Sequence, residues 1–79
     1  MEENIFGNWL REKRLDSGMT LMELSEVLDI SYVTLSNLEL NKYKPSISVL
    51  RRIAEQFDTD VGDIRRIIKG EEQNGNQDI

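Results

Sequence analysis

Residues 20–40 read TLMELSEVLDISYVTLSNLEL, and the spacing of their apolar positions decides the fold. Thr20-Leu21-Met22-Glu23 has the form of a capping box, in which a Thr hydroxyl and a Glu carboxylate satisfy orphan amides reciprocally at a helix start. Leu24 and Leu28 then recur four apart, the buried stripe of a short helix. Asp29-Ile30-Ser31 breaks that period, with one apolar side chain between two polar ones. Ser31 is a good N-cap for a second helix reaching about Leu40, anchored by Leu35 and Leu38. Two short helices joined by so tight a turn bury Leu24, Leu28, Ile30, Leu35 and Leu38 together only by crossing steeply, with small Ser25 at the closest approach. Tyr32, Thr34, Ser36 and Asn37 then project away from the core near the start of the second helix.

The same punctuation extends to both sides and predicts five helices. The first runs from about Asn4 to Ser17, with Phe6 and Leu10 on one face, and ends at Gly18, where a left-handed cap has no steric cost. Met19 then enters the core. Asn41 tolerates the left-handed conformation that ends the third helix, and Lys42-Tyr43-Lys44-Pro45 is a loop closed by the only proline. Ser46 caps a fourth helix whose Leu50, Ile53, Ala54 and Phe57 fall at i, i+3, i+4 and i+7. Asp60 caps a fifth, with Val61, Ile64 and Ile68 inward. From Gly70 the residues are Gly, Glu, Gln, Asn and Asp apart from Ile79, too little apolar surface to offset ordering entropy. The expectation is an all-α domain over residues 4–69 and a disordered acidic tail over 70–79. The central helix pair spans about 20–40, its second helix about 31–40.

A chain of 79 residues holds one domain of this kind. It contains no cysteine and no histidine, which removes disulfides, thiolate chemistry, the commonest zinc ligands and the commonest general base. Neither an enzyme nor a metal or cofactor site is expected. No apolar run is long enough for a membrane span or a signal segment, so the expected location is cytoplasmic. The net charge of −5 is unusual for a nucleic-acid binder, but it is unevenly distributed. Glu2, Glu3, Glu71, Glu72 and Asp78 lie in termini without Lys or Arg, and the stretch between them is neutral overall.

From Phe6 to about Ile68 the chain resembles the lambda-repressor-like, Cro/XRE helix-turn-helix family. The resemblance is carried by Phe6-Gly7 before Leu10-Arg11-Glu12, Arg14, Gly18-Met19-Thr20, Glu23-Leu24-Ser25, Ile30-Ser31, Thr34-Leu35-Ser36-Asn37-Leu38-Glu39, Lys42, Lys44-Pro45-Ser46, Leu50 and Ile53-Ala54. Their order and spacing together are specific where any single piece is weak. The resemblance implies a five-helix domain whose third helix reads double-stranded DNA in the major groove.

Carried over by position, the resemblance puts Tyr32, Val33 and Asn37 against base edges, with Ser36 on the same face. An Asn37 amide can pair bidentately with adenine, and Val33 can offer a methyl contact to thymine. Thr20, Ser31 and Thr34 fall where helix N-termini meet phosphate, and Lys42, Tyr43 and Lys44 where the far backbone is gripped. Arg14 and Glu39 match a partly buried ion pair between the first and third helices, a structural role rather than a catalytic one. Some positions depart from the family. Leu21 replaces a glutamine that holds phosphate, Asp29 replaces a turn glycine, and Leu40-Asn41 stand where a polar residue and glycine are common.

Other conspicuous residues have ordinary readings. Trp9 adjoins core Leu10 and suits packing. Arg14 apart, the run of Arg11, Lys13 and Arg14 and the pairs Arg51-Arg52 and Arg65-Arg66 read as solvated charge, with Arg11 alone within reach of a phosphate. Ile64, Ile67 and Ile68 make the fifth helix apolar on more than one side and form a candidate dimer surface. The whole reads as a transcriptional repressor binding a palindromic operator as a homodimer, without a small-molecule ligand. An antitoxin or restriction-modification controller would use the same fold. A protein-interaction module that has lost its groove contacts is the alternative from another class.

Overall fold

The computed structural model describes residues 5–42 and 44–73, with side chains described through Gly70. It contains α1 (Ile5–Asp16), α2 (Leu21–Leu28), α3 (Tyr32–Glu39), α4 (Ile47–Gln56) and α5 (Val61–Gln73), and no strand occurs among the described residues. The boundaries follow local chemistry. Gly18 takes φ 74° after α1. Thr20 Oγ1 accepts from the Glu23 amide at 3.1 Å while the Thr20 amide donates to Glu23 Oε1 at 2.9 Å, the complete capping box. Ser31 and Ser46 cap α3 and α4 by accepting from the Thr34 and Val49 amides at 2.9 and 3.2 Å. Asp29 and Asn41 occupy left-handed backbone after α2 and α3, at φ 59° and 60°. Asp58 does the same after α4, at φ 53°, where nothing in the sequence pattern singled it out.

The last helix corrects one expectation. Disorder was expected from Gly70, but α5 continues to Gln73. A glycine inside a helix costs only about 1 kcal/mol relative to alanine, and Glu71, Glu72 and Gln73 are good helix formers extending a helix that packing has already nucleated. The rest of the expected tail, like Asn4 at the expected start of the first helix, lies outside the described residues.

All five helices contribute to one core. Phe6 and Leu10 come from α1, Leu24 and Leu28 from α2, Leu35 and Leu38 from α3, Leu50, Ile53 and Ala54 from α4, and Ile64 from α5. Trp9, Met19, Leu21, Ile30, Phe57, Val61, Ile67 and Ile68 pack around it, partly buried. Helix α3 is held between α1 and α2, while α4 bridges α2 and α5 and α5 returns to α1. Ile64 is 0% exposed, so it belongs to the core and leaves the candidate dimer surface; Ile67 and Ile68 keep part of their surface open. No described helix is long and apolar enough to cross a membrane.

One polar interaction crosses this interior. Arg14 donates from Nε to Glu39 Oε2 at 2.8 Å and from Nη2 to Glu39 Oε1 at 3.1 Å, a bidentate pair between α1 and the end of α3. Its Nη1 donates to the Met19 carbonyl at 3.0 Å, so the same guanidinium also fixes the α1–α2 turn. Both residues are buried, at 9% and 6% exposure, and neither can recover full hydration if the other is removed. The hydrogen bond to Glu39 raises the Arg14 pKa above its ordinary value against the opposing effect of burial. A raised folded-state pKa means that this stabilisation is complete below the unfolded value and is lost only as pH climbs through the folded one. The Arg14 contribution is therefore constant around neutral pH.

Two stability predictions follow from this packing. Leu35→Ala should cost about 3 kcal/mol in urea unfolding; a loss under about 1 kcal/mol would mean that α3 is not anchored by its core face. Glu39→Gln and Arg14→Ala should each cost about 3 kcal/mol, whereas replacing both by Met should cost less than either single change, because no buried charge is left alone. A double replacement as damaging as the two singles added together would show that the pair is not coupled.

Candidate nucleic-acid interface

Helix α3 has two unlike sides. Leu35, Leu38 and Glu39 are buried, whereas Tyr32 and Val33 are 47% and 64% exposed and Ser36 and Asn37 are partly exposed. Positions 32, 33, 36 and 37 are i, i+1, i+4 and i+5, which share one helical face opposite that of 35 and 38. The structure thus brings together the four residues expected at base edges on one strip of the helix, each at least partly open. The strip carries an amide, a hydroxyl, a phenol and a branched apolar group: donors, acceptors and methyl surface, and no formal charge.

The residues expected at phosphates are arranged less simply. Ser31 donates its hydroxyl to Thr34 Oγ1 at 2.8 Å while accepting from the Thr34 amide, so its side chain is engaged within the turn. The outward donors at this helix start are therefore the Thr34 hydroxyl and the first amides of α3, which have no acceptor within the helix. Thr20 is exposed, but its amide is held by the Glu23 carboxylate, whose charge would oppose an approaching phosphate. Lys42 and Lys44 are exposed on the loop after α3, and the Lys42 amide caps that helix by donating to the Asn37 carbonyl at 2.9 Å. Tyr43 lies outside the described residues.

A residue read as solvated charge has a defined place. Arg52, on α4, donates from Nη1 to the carbonyls of Leu28 and Asp29, at 3.1 Å each, across the turn between α2 and α3. The only sequence signal for this was indirect: a helix ending in a non-glycine left-handed cap leaves carbonyls in need of a donor. Arg66 pairs with Asp63 one turn earlier on α5, and Arg11, Arg51 and Arg65 are exposed. Trp9 stacks on Phe6 with ring centroids 6.0 Å apart, and the Lys13 ammonium sits 5.9 Å from its ring centre. Its role is packing, shielded by a cation. Leu21, which departs from the family pattern, is partly buried against the core. Among the described residues no group of three His, Cys, Asp or Glu could hold a metal ion.

Comparison with known proteins agrees with this geometry. The Helix-turn-helix family matches residues 10–64, from the second turn of α1 to the first of α5. Among solved structures, the clp gene regulator ClgR from Corynebacterium glutamicum is 31% identical over 85% of this chain and 71% of its own, with a TM-score of 0.70. A second ClgR structure aligns over 95% of this chain and 94% of its own at 28% identity and a TM-score of 0.67. The N-terminal DNA-binding domain of SinR from Bacillus subtilis is 26% identical over 80% of this chain and 93% of its own, with a TM-score of 0.71. No curated protein sequence gives a significant match. The family is one of non-enzymatic DNA-binding domains. With five helices, α2 and α3 forming the motif and a family model matching residues 10–64, the chain belongs to the Cro/C1-type (XRE) helix-turn-helix family.

Proposed function

We propose that the protein is a transcriptional regulator that inserts α3 into the major groove of an operator and represses by occupying it. The observation that carries this reading is the strip on the side of α3 opposite its core anchors, where Tyr32 and Val33 are exposed and Ser36 and Asn37 partly exposed. Asn37 is the base reader of greatest weight, because its amide can pair bidentately with adenine, the NH2 donating to N7 and the carbonyl accepting from the N6 amine. Val33 supplies methyl contact to thymine, and Tyr32 reaches a neighbouring base or the backbone. Lys42, Lys44, the Thr34 hydroxyl and the α3 amides grip phosphate and set register. Ile67 and Ile68, partly open on α5, serve as the surface of a homodimer, whose two-fold axis calls for a palindromic site with half-sites about 34 Å apart. Action on chromosomal or phage DNA places it in the cytoplasm.

A second reading has its own observation. Val33 and Leu40 are 64% and 57% exposed, and Met22 and Val27 on α2 are about as open, an apolar content that would also suit a protein partner. Duplex binding separates the two. If two subunits each place Lys42 and Lys44 on phosphates, log affinity plotted against log salt should fall with a slope of about −4. Duplexes selected from a random pool should share an inverted repeat containing adenine, and Asn37→Ala should lose about tenfold in preference at that base while its thermal melt stays unchanged. Absence of duplex binding at low salt would favour the protein-interaction module, and a monomer by sedimentation in the presence of operator would remove the homodimer.

A further inference from the structure

The end of α2 poses a hydrogen-bonding problem that the helix ladder does not solve. The Asp29 amide turns back to the Glu26 and Ser25 carbonyls, and the Ile30 amide also reaches the Ser25 carbonyl, at 3.0 Å. The Leu28 and Asp29 carbonyls lie beyond these, and both accept from Arg52 Nη1. A guanidinium nitrogen carries two hydrogens, so one nitrogen serves both carbonyls without competition. Arg52 sits in α4, outside the helix pair, and its bonds tie that pair's turn to the body of the domain.

The turn has reason to need the tie. Asp29 holds a left-handed backbone that disfavours any residue with a Cβ. Only Ile30 and Ser31 separate Asp29 from α3, and Ser31 is the cap on which α3 starts. The position of the Asp29 carbonyl therefore sets where α3 begins and how it is aimed. The other end of α3 is held by Arg14 on Glu39. The eight-residue α3 thus has one guanidinium, from α1, on its last residue and another, from α4, on the turn that leads into it. Hydrogen bonds weaken steeply past about 3.2 Å, so a pivot that shifts Asn37 by roughly 1 Å would break a bidentate base contact.

We infer that Arg52 is a positioning residue for sequence readout: it aims α3 through the Leu28 and Asp29 carbonyls without touching the duplex. This rests on the proposed reading of DNA by α3. Its signature is loss of discrimination, since general attraction to phosphate does not depend on the aim of Asn37, whereas base contacts do. Lysine can donate to the same carbonyls from a flexible stem but lacks the planar fork, and restores the aim in part.

The test compares the parent with Arg52→Ala and Arg52→Lys at a temperature where thermal melts show all three folded. Three quantities are read: amide hydrogen exchange, affinity for a duplex selected by the parent from a random pool, and affinity for a duplex of scrambled sequence across a salt series. Arg52→Ala should speed exchange at residues 30–35 about tenfold relative to α5. It should bind the selected duplex about tenfold more weakly, keep its affinity for the scrambled one within about twofold, and leave the salt slope unchanged. Arg52→Lys should fall between. Equal weakening on both duplexes with a slope shallower by about one per subunit would make Arg52 a phosphate contact and overturn the inference. Unchanged exchange and selectivity would overturn it, as would exchange raised equally in all five helices, the mark of a general stability loss. If the parent selects no duplex sequence, the DNA reading fails and the readout role falls with it; exchange at residues 30–35 still shows separately whether Arg52 holds the turn.

Discussion

An eight-residue helix cannot sustain itself in water, because the cost of nucleation exceeds what so few backbone bonds return. Helix α3 exists because its inner side is anchored, and this constraint governs the rest of the molecule. Leu35 and Leu38 commit one side to the core, which leaves the opposite side free of structural duty. Tyr32, Val33, Ser36 and Asn37 lie on that side. The flanking helices serve the same end: α1 contributes Phe6, Leu10 and the Arg14 fork, and α4 contributes Ile53 and the Arg52 bonds. A small core then supports a rigid projecting edge.

Electrostatics are organised locally. The chain is acidic overall, and a negative net charge opposes approach to DNA at long range. Within about a Debye length, roughly 8–10 Å, the groups at the edge itself matter more. The outward strip of α3 is uncharged, its N-terminal end presents amides and a hydroxyl, and Lys42 and Lys44 lie past its C-terminal end. Glu39, the acid nearest these lysines in sequence, is buried and neutralised by Arg14. Asp29 and Glu23 remain as exposed acids near the turn and cap. Their charge opposes a nearby phosphate.

Much of this was legible from the residues alone because it is written in local chemistry. Caps at Thr20, Ser31 and Ser46, left-handed ends at Gly18, Asp29 and Asn41, and apolar steps of three and four needed no tertiary information. The strip on α3 was legible for the same reason, since helical period alone separates positions 32, 33, 36 and 37 from 35 and 38. What escaped depends on neighbours distant in sequence. Arg52 looks like any exposed arginine until α4 is laid beside the end of α2, and Ile64 could be told from Ile67 and Ile68 only once the core had closed around it. The Ser31–Thr34 hydroxyl bond is a choice of side-chain rotamer that spacing does not encode. The continuation of α5 past Gly70 reflects a helix already nucleated upstream, where composition alone favoured disorder.

On the proposed function, the outward strip of α3 meets the bases of a duplex. Amide and side-chain NMR shifts recorded while titrating a selected duplex into labelled protein test it most directly. The largest changes should fall at Tyr32, Val33, Ser36 and the Asn37 side-chain amide, with smaller ones at Thr34, Lys42 and Lys44 and little along the Arg65–Lys69 side of α5. Changes centred on α5 or on Met22 and Val27, with α3 silent, would contradict it.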